Sequence, residues 1–91
     1  MKSILMDKEE GCLVCGNPYV EEHHVFFGTA DRKLSEQYGL KVYLCAKHHR
    51  GNTGAHFDSS LDKFLKKMAQ EKFEEQHSHD EFIRLFMRDY L

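Results

Sequence analysis

The sequence predicts a small α+β domain in which a strand–strand–helix unit is followed by two further helices. Residues 21–27 are rich in β-branched and aromatic side chains and residues 41–45 alternate polar with apolar ones, which are patterns typical of strands. Residues 59–76 and 79–90 repeat apolar side chains at helical spacing. The chain is expected to form one domain over residues 1–91.

The first strand is preceded by a turn and followed by a polar connection. Residues 12–16, Cys-Leu-Val-Cys-Gly, have the form of a metal-binding knuckle, in which Gly16 can adopt the positive φ that turns backbone amides toward the thiolates. The strand at 21–27 ends at Gly28. The polar connection after it is predicted to contain one helical turn at residues 32–38.

Three helices are predicted after the second strand. Residues 46–50 are good helix formers and are closed by a loop rich in Gly and Asn. The long helix begins after a capping hydroxyl at Ser59 or Ser60, and Ser78 with Glu81 forms a capping box for the last helix. The apolar stripe predicted for the long helix consists of Leu61, Phe64, Leu65, Met68 and Phe73.

Four side chains in two equally spaced pairs indicate one bound metal ion. Cys12 and Cys15 are separated by two residues, and Cys45 and His48 repeat that spacing later in the chain. Three sulfurs and one nitrogen form the closed tetrahedral set of a structural zinc site. His49 is the alternative fourth ligand, because it is adjacent to His48. Binding worth about 10–16 kcal/mol exceeds the stability of most small domains, so the metal-free chain is expected to be largely unfolded.

The absence of long apolar runs predicts a cytoplasmic protein with no membrane partner. No segment of the sequence has the length of a signal-peptide core or a membrane span. Cytoplasmic thiols stay reduced, and three cysteines cannot all pair, so metal binding explains them better than disulfides do. The alternative is a redox pair at Cys12 and Cys15 with Cys45 as an ordinary strand residue, which requires a βαβ pattern that the sequence lacks.

The remaining histidines form a second candidate site. Four of them lie between the first knuckle and the long helix: His23, His24, His49 and His56. Phosphodiester hydrolysis needs a metal that stabilises charge and a base with a pKa near 7, and histidine can serve both purposes. Because neighbours on a strand point to opposite faces, His23 and His24 enter one cleft only if the strand is bent or bulged. The alternative is that these histidines satisfy core hydrogen bonds or extend zinc binding.

In their order, the segments CLVCG, HHV and LCAKHH resemble the HNH nucleases with a zinc-bound ββα-metal fold, over about residues 12–57. Within that group they are similar to the recombination-enhancement, RecA-dependent nucleases and their small phage and prophage relatives. The resemblance implies a metal-dependent DNA endonuclease or nickase. It implies His24 as the general base that activates water, with His23 in the place of the usual metal-binding Asp. His49 would be a metal ligand on the helix, and His56 a further ligand candidate.

Two departures from the family pattern leave the catalytic metal open. His23 replaces an acid, and Asn52 lies too far along the chain to match the middle Asn of the pattern. Phosphate chemistry favours Mg²⁺ or Mn²⁺, whereas imidazole ligands favour a softer divalent ion.

The partner implied by the resemblance is DNA, and a recombinase filament is a second candidate. The formal charge of −2 is less basic than expected for a protein that binds DNA through phosphates alone. Lys41, Lys47 and Arg50 are nevertheless candidate phosphate contacts, and a solvated face explains them equally well. The alternative function is a non-catalytic zinc module that binds nucleic acid or protein. The sequence does not predict an oligomeric state.

Overall fold

The computed structural model describes residues 1–52 and 54–91, and within them it contains a two-stranded sheet and four α-helices. The elements are β1 (Glu21–His24), α1 (Thr29–Tyr38), β2 (Lys41–Leu44), α2 (Ala46–Arg50), α3 (Ser59–Phe73) and α4 (His79–Phe86). The predicted small α+β class is therefore confirmed. The strands are antiparallel, with Glu21 opposite Leu44 and His24 opposite Lys41.

The strand predicted to reach residue 27 ends at His24, because a side chain takes over the pairing that a neighbouring strand would supply. The N–H of Phe26 donates to the Ser35 hydroxyl oxygen at 3.1 Å, and that hydroxyl donates to the Phe26 carbonyl at 2.8 Å. Ser35 belongs to α1, a helix of ten residues where the sequence predicted a single turn. The helix ends at Gly39, whose φ of 71° is left-handed.

The two C-terminal helices begin close to their predicted positions and end earlier than predicted. The cap of α3 is Asp58, whose carboxylate accepts from the backbone of Ser60 and Leu61, so the predicted hydroxyl cap was wrong. The Ser78 hydroxyl accepts from the Glu81 N–H, which is one half of the predicted capping box, while the Glu81 carboxylate pairs with His77 at 3.2 Å. Among the helices of the described residues, none has the length and apolar character needed to cross a membrane.

The core lies where the segment after β1 meets α3 and α4. The Phe26 ring packs on Phe82 and Phe86 of α4, with centroids 5.6 and 4.6 Å apart. Leu65 and Phe73 of the predicted α3 stripe are fully buried, whereas Phe64 is 59% exposed and does not belong to the core. This packing holds the short sheet and its histidines against a rigid helical base.

Candidate metal centres

The structure brings Cys12, Cys15, Cys45 and His48 together in one cluster. The Nδ1 of His48 lies 3.2 Å from the Sγ of Cys45 and 3.7 Å from the Sγ of Cys12, and the Sγ atoms of Cys15 and Cys45 are 3.7 Å apart. Ligands at about 2.0–2.3 Å from one tetrahedral zinc ion are spaced by about 3.3–3.8 Å. The Cys₃His donor set therefore fits a structural zinc ion.

Local backbone structure positions these ligands. Gly16 has the predicted positive φ, 78°, and its N–H donates to the Cys12 carbonyl at 2.8 Å to close the knuckle. The N–H of Leu13 donates to the carbonyl of Tyr43, which ties the knuckle to β2. Cys45 occupies the N-cap position of α2, so His48 lies within the first turn of the same helix.

The same backbone favours the metal-binding form of Cys12. Burial alone would raise the pKa of this thiol, but hydrogen bonds from the backbone of Cys45, Cys15 and Val14, together with one from His48, lower it to about 6. The thiolate is the form that binds zinc. Cys15 differs from Cys12: a backbone hydrogen bond from Asn17 would lower its pKa, but burial and the neighbouring thiols of Cys12 and Cys45 raise it.

A second cluster consists of His23, His49 and His56, each with a ring nitrogen within 4.8 Å of the others. The Nε2 atoms of His49 and His56 are 3.2 Å apart. Two imidazoles at about 2.0–2.1 Å from one tetrahedral ion would be about 3.3 Å apart. The observed spacing fits a shared divalent ion.

His23 contributes a buried nitrogen that has no partner among the described residues. Its side chain is 1% exposed, and its Nε2 makes no hydrogen bond there. Burial, followed by the nearby His49 and His56, lowers the pKa of His23 to about 3, so the ring is neutral. An unpaired buried polar atom costs about 1–3 kcal/mol, a cost that metal ligation would remove. Neutral imidazole is also the metal-binding form.

Glu21 orients the central histidine of this cluster. The Nδ1–H of His49 donates to the Glu21 carboxylate at 2.8 Å, which leaves Nε2 free to bind a metal. Arg50 and then His49 hold the pKa of Glu21 at about 2. No motif in the sequence marked Glu21, although this residue lies two positions before His23 and therefore on the same face of β1.

His24 lies on the other face of β1, as strand alternation predicts. Its Nε2–H is 2.8 Å from a Glu36 carboxylate oxygen, and Glu22 lies at 3.6 Å. His24 nevertheless lines the same cavity of about 170 Å³ as the three clustered histidines. Phe27 and Arg32 also line this cavity, and no linear motif in the sequence marked either of them.

The three predicted phosphate contacts have different environments. Lys41 is 5% exposed and pairs with Glu22 and Glu36 at 3.3 and 3.1 Å. Burial would lower the pKa of Lys41, but the two carboxylates raise it, so its charge is held inside the fold. Arg50 is bonded to Glu21, and Lys47 is exposed. The environments of Lys41 and Arg50 do not favour the predicted contacts.

No protein-family model matches the chain, and comparisons with curated proteins and with solved structures give no match either. The protein is therefore characterised by its fold and by the residues that it clusters. It is a small α+β protein whose Cys₃His cluster can hold a metal such as zinc. Beside that cluster, the next residue of α2, His49, belongs to a three-histidine cluster that opens on a cavity.

Proposed function

We propose that the protein is a metal-dependent DNA endonuclease or nickase of the HNH type, which hydrolyses phosphodiester bonds at the three-histidine cluster. The observation that carries the proposal is the convergence of His23, His49 and His56 beside a fourth histidine, His24, around one cavity. Three protein ligands leave a coordination position open for substrate, as catalytic sites do, whereas the four ligands of the Cys₃His cluster close theirs.

The donor set of the cavity favours a particular class of ion. Imidazole nitrogens suit Zn²⁺ and similar transition metals, whereas Mg²⁺ prefers oxygen ligands. His23, His49 and His56 supply nitrogen only. A bound divalent ion would act as a Lewis acid that stabilises charge on the phosphate and the leaving oxygen.

His24 is the proposed general base. Its Nε2–H bond to Glu36 fixes the ring and leaves Nδ1 as the nitrogen that can accept a proton. In the proposed step, Nδ1 takes a proton from water while the water oxygen bonds to phosphorus and the bond to the leaving oxygen breaks. Arg32 is exposed at the rim of the cavity, where its guanidinium can bind a phosphate oxygen pair.

The second candidate function is a zinc module without catalysis. It is favoured by the 3.2 Å distance between the Nε2 atoms of His49 and His56, which also suits a hydrogen bond between two neutral rings. This function predicts one metal ion per chain and no cleavage.

The test is plasmid nicking by purified protein with Zn²⁺, Mn²⁺ or Mg²⁺ added separately. We expect wild type to convert supercoiled plasmid to open circle, because the proposed ligands and the proposed base line one cavity. His24→Ala should lose at least 100-fold in rate, in the range of a missing general base at about 10²–10⁴-fold, and keep its zinc. His79→Ala removes an exposed imidazole at the start of α4 and is the matched control.

Two outcomes would contradict the proposal. Cleavage by His24→Ala at the wild-type rate would remove the assigned base or reveal a contaminating nuclease. Absence of cleavage by wild type with every metal, together with one ion per chain, would favour the non-catalytic module.

A further inference from the structure

A groove of about 590 Å³ lies between α3 and the C-terminal segment, outside the histidine cavity. Its basic side chains are Lys63, Lys66, Lys67 and Arg88. Asp62 is paired with Lys66 at 2.9 Å, and Asp89 accepts a hydrogen bond from Gln70. Lys63, Lys67 and Arg88 are exposed, with no ion pair among the described residues. The groove is locally basic in a chain whose formal charge is −2.

An exposed aromatic ring lies among these cations. Phe64 follows Lys63 on α3 and is 59% exposed, although the helical pattern of the sequence predicted it to be buried. Tyr90 adds a half-buried ring to the same groove. Aromatic faces between lysines bind single-stranded nucleic acid, because bases stack on the rings while phosphates pair with the ammonium groups. Bases in a duplex are already stacked, so an exposed Phe favours a single strand.

Lys66 connects the groove to the histidine cavity. Its Nζ lies 4.8 Å from the centroid of the Phe27 ring and 5.7 Å from that of Tyr90. Phe27 lines the cavity and packs on His56, with centroids 5.0 Å apart. A strand bound along the groove would therefore reach the side of the histidine cavity that Phe27 lines.

We infer that this groove binds a single-stranded segment of nucleic acid and leads it to the histidine cavity. The inference deepens the proposed function by naming the form of the substrate, and it rests on that function for the chemistry at the end of the groove. The basic side chains of the groove and the exposed Phe64 ring are the features that favour a single-stranded nucleic acid as its ligand.

Equilibrium binding tests the groove separately from cleavage. Fluorescence anisotropy of a labelled oligothymidylate would be measured with the zinc-loaded His24→Ala protein, which leaves the probe intact. We expect Phe64→Ala to weaken binding about 5- to 150-fold, the range of one lost base–aromatic stack. Lys63→Ala and Lys67→Ala should each weaken binding and reduce the slope of log K against log salt by about 0.7.

The matched control is Lys72→Ala, which removes an equal charge from α3 outside the groove. It should bind like the parent protein. A hairpin duplex and vesicles of phosphatidylserine serve as competing probes, and both should bind more weakly than the oligothymidylate.

Several results would overturn the inference. These are binding that the Phe64, Lys63 and Lys67 substitutions leave unchanged, tighter binding to the duplex, or tighter binding to the vesicles. The groove and the proposed function can fail separately. If the groove variants lose oligothymidylate binding and wild type cleaves no DNA, the groove would be supported and the proposed function rejected. If wild type cleaves DNA but the groove variants bind the oligothymidylate as tightly as the parent protein, the proposed function would be supported and the groove rejected.

Discussion

Adjacent histidines on α2 serve different clusters because one helical residue turns the side chain by about 100°. His48 directs Nδ1 at the cysteines, and His49 directs Nε2 at His56 while Glu21 holds its other nitrogen. Alternation along β1 separates His23 from His24 in the same way. A shift of one residue along α2 or β1 thus decides the role of each imidazole. It belongs to the Cys₃His cluster, belongs to the three-histidine cluster, or is the proposed general base.

Substitution of His48 should affect stability, whereas substitution of His49 should affect catalysis. We expect His48→Ala to lose most of its zinc and its cooperative thermal transition, because three ligands no longer close the tetrahedron. His49→Ala should keep the ion of the Cys₃His cluster and melt near the wild-type temperature, yet lose the ion of the three-histidine cluster and, with it, cleavage. Elemental analysis and circular dichroism measure these outcomes. A cooperative transition near the wild-type temperature in His48→Ala, with loss of that transition in His49→Ala, would exchange the two assignments.

At the scale of elements, periodicity and capping predicted most of the fold. The two strands, the short α2 and both C-terminal helices were recognisable because their apolar spacing and turn residues are local signals. Helix α1 was predicted only as a turn, since the contact of its Ser35 with Phe26, nine residues earlier, has no signal in the sequence pattern. A polar residue that completes a strand in this way has no periodic signature.

Ser35→Ala tests this tertiary role. The substitution would leave the buried N–H and carbonyl of Phe26 without the Ser35 hydroxyl, so we expect a loss of about 1–3 kcal/mol in the free energy of unfolding. Denaturant unfolding of the zinc-loaded protein at fixed zinc concentration measures it. Ser60→Ala is the matched control, because this exposed hydroxyl lies beside the Asp58 cap and is not the cap itself. Equal losses in both variants would contradict the assigned role.

For the whole molecule, the sequence predicted those site residues that linear spacing encodes. The Cys₃His set follows from two pairs of equal spacing, and the structure brings its members together. Glu21, Arg32 and the basic groove were missed because they depend on which surfaces the fold places side by side. The buried ion pairs of Lys41 could not be predicted for the same reason.

Metal removal should unfold the chain as a whole. Zinc binding of about 10–16 kcal/mol is comparable to or larger than the usual stability of about 5–15 kcal/mol, and the cluster joins the knuckle to the end of β2. We expect a strong chelator to abolish the helical circular dichroism signal and added Zn²⁺ to restore it under reducing conditions. An unchanged melting temperature in protein shown to be metal-free by elemental analysis would refute the structural role of the cluster.

We propose that two neighbouring metal centres exist and that only the one built from histidines remains open to substrate. Anomalous X-ray scattering from crystals of the zinc-loaded protein tests it most directly. The predicted result is two peaks per chain, one enclosed by Cys12, Cys15, Cys45 and His48 and one among the nitrogens of His23, His49 and His56. A single peak at the cysteines, with the His49 and His56 rings hydrogen-bonded to each other, would contradict it.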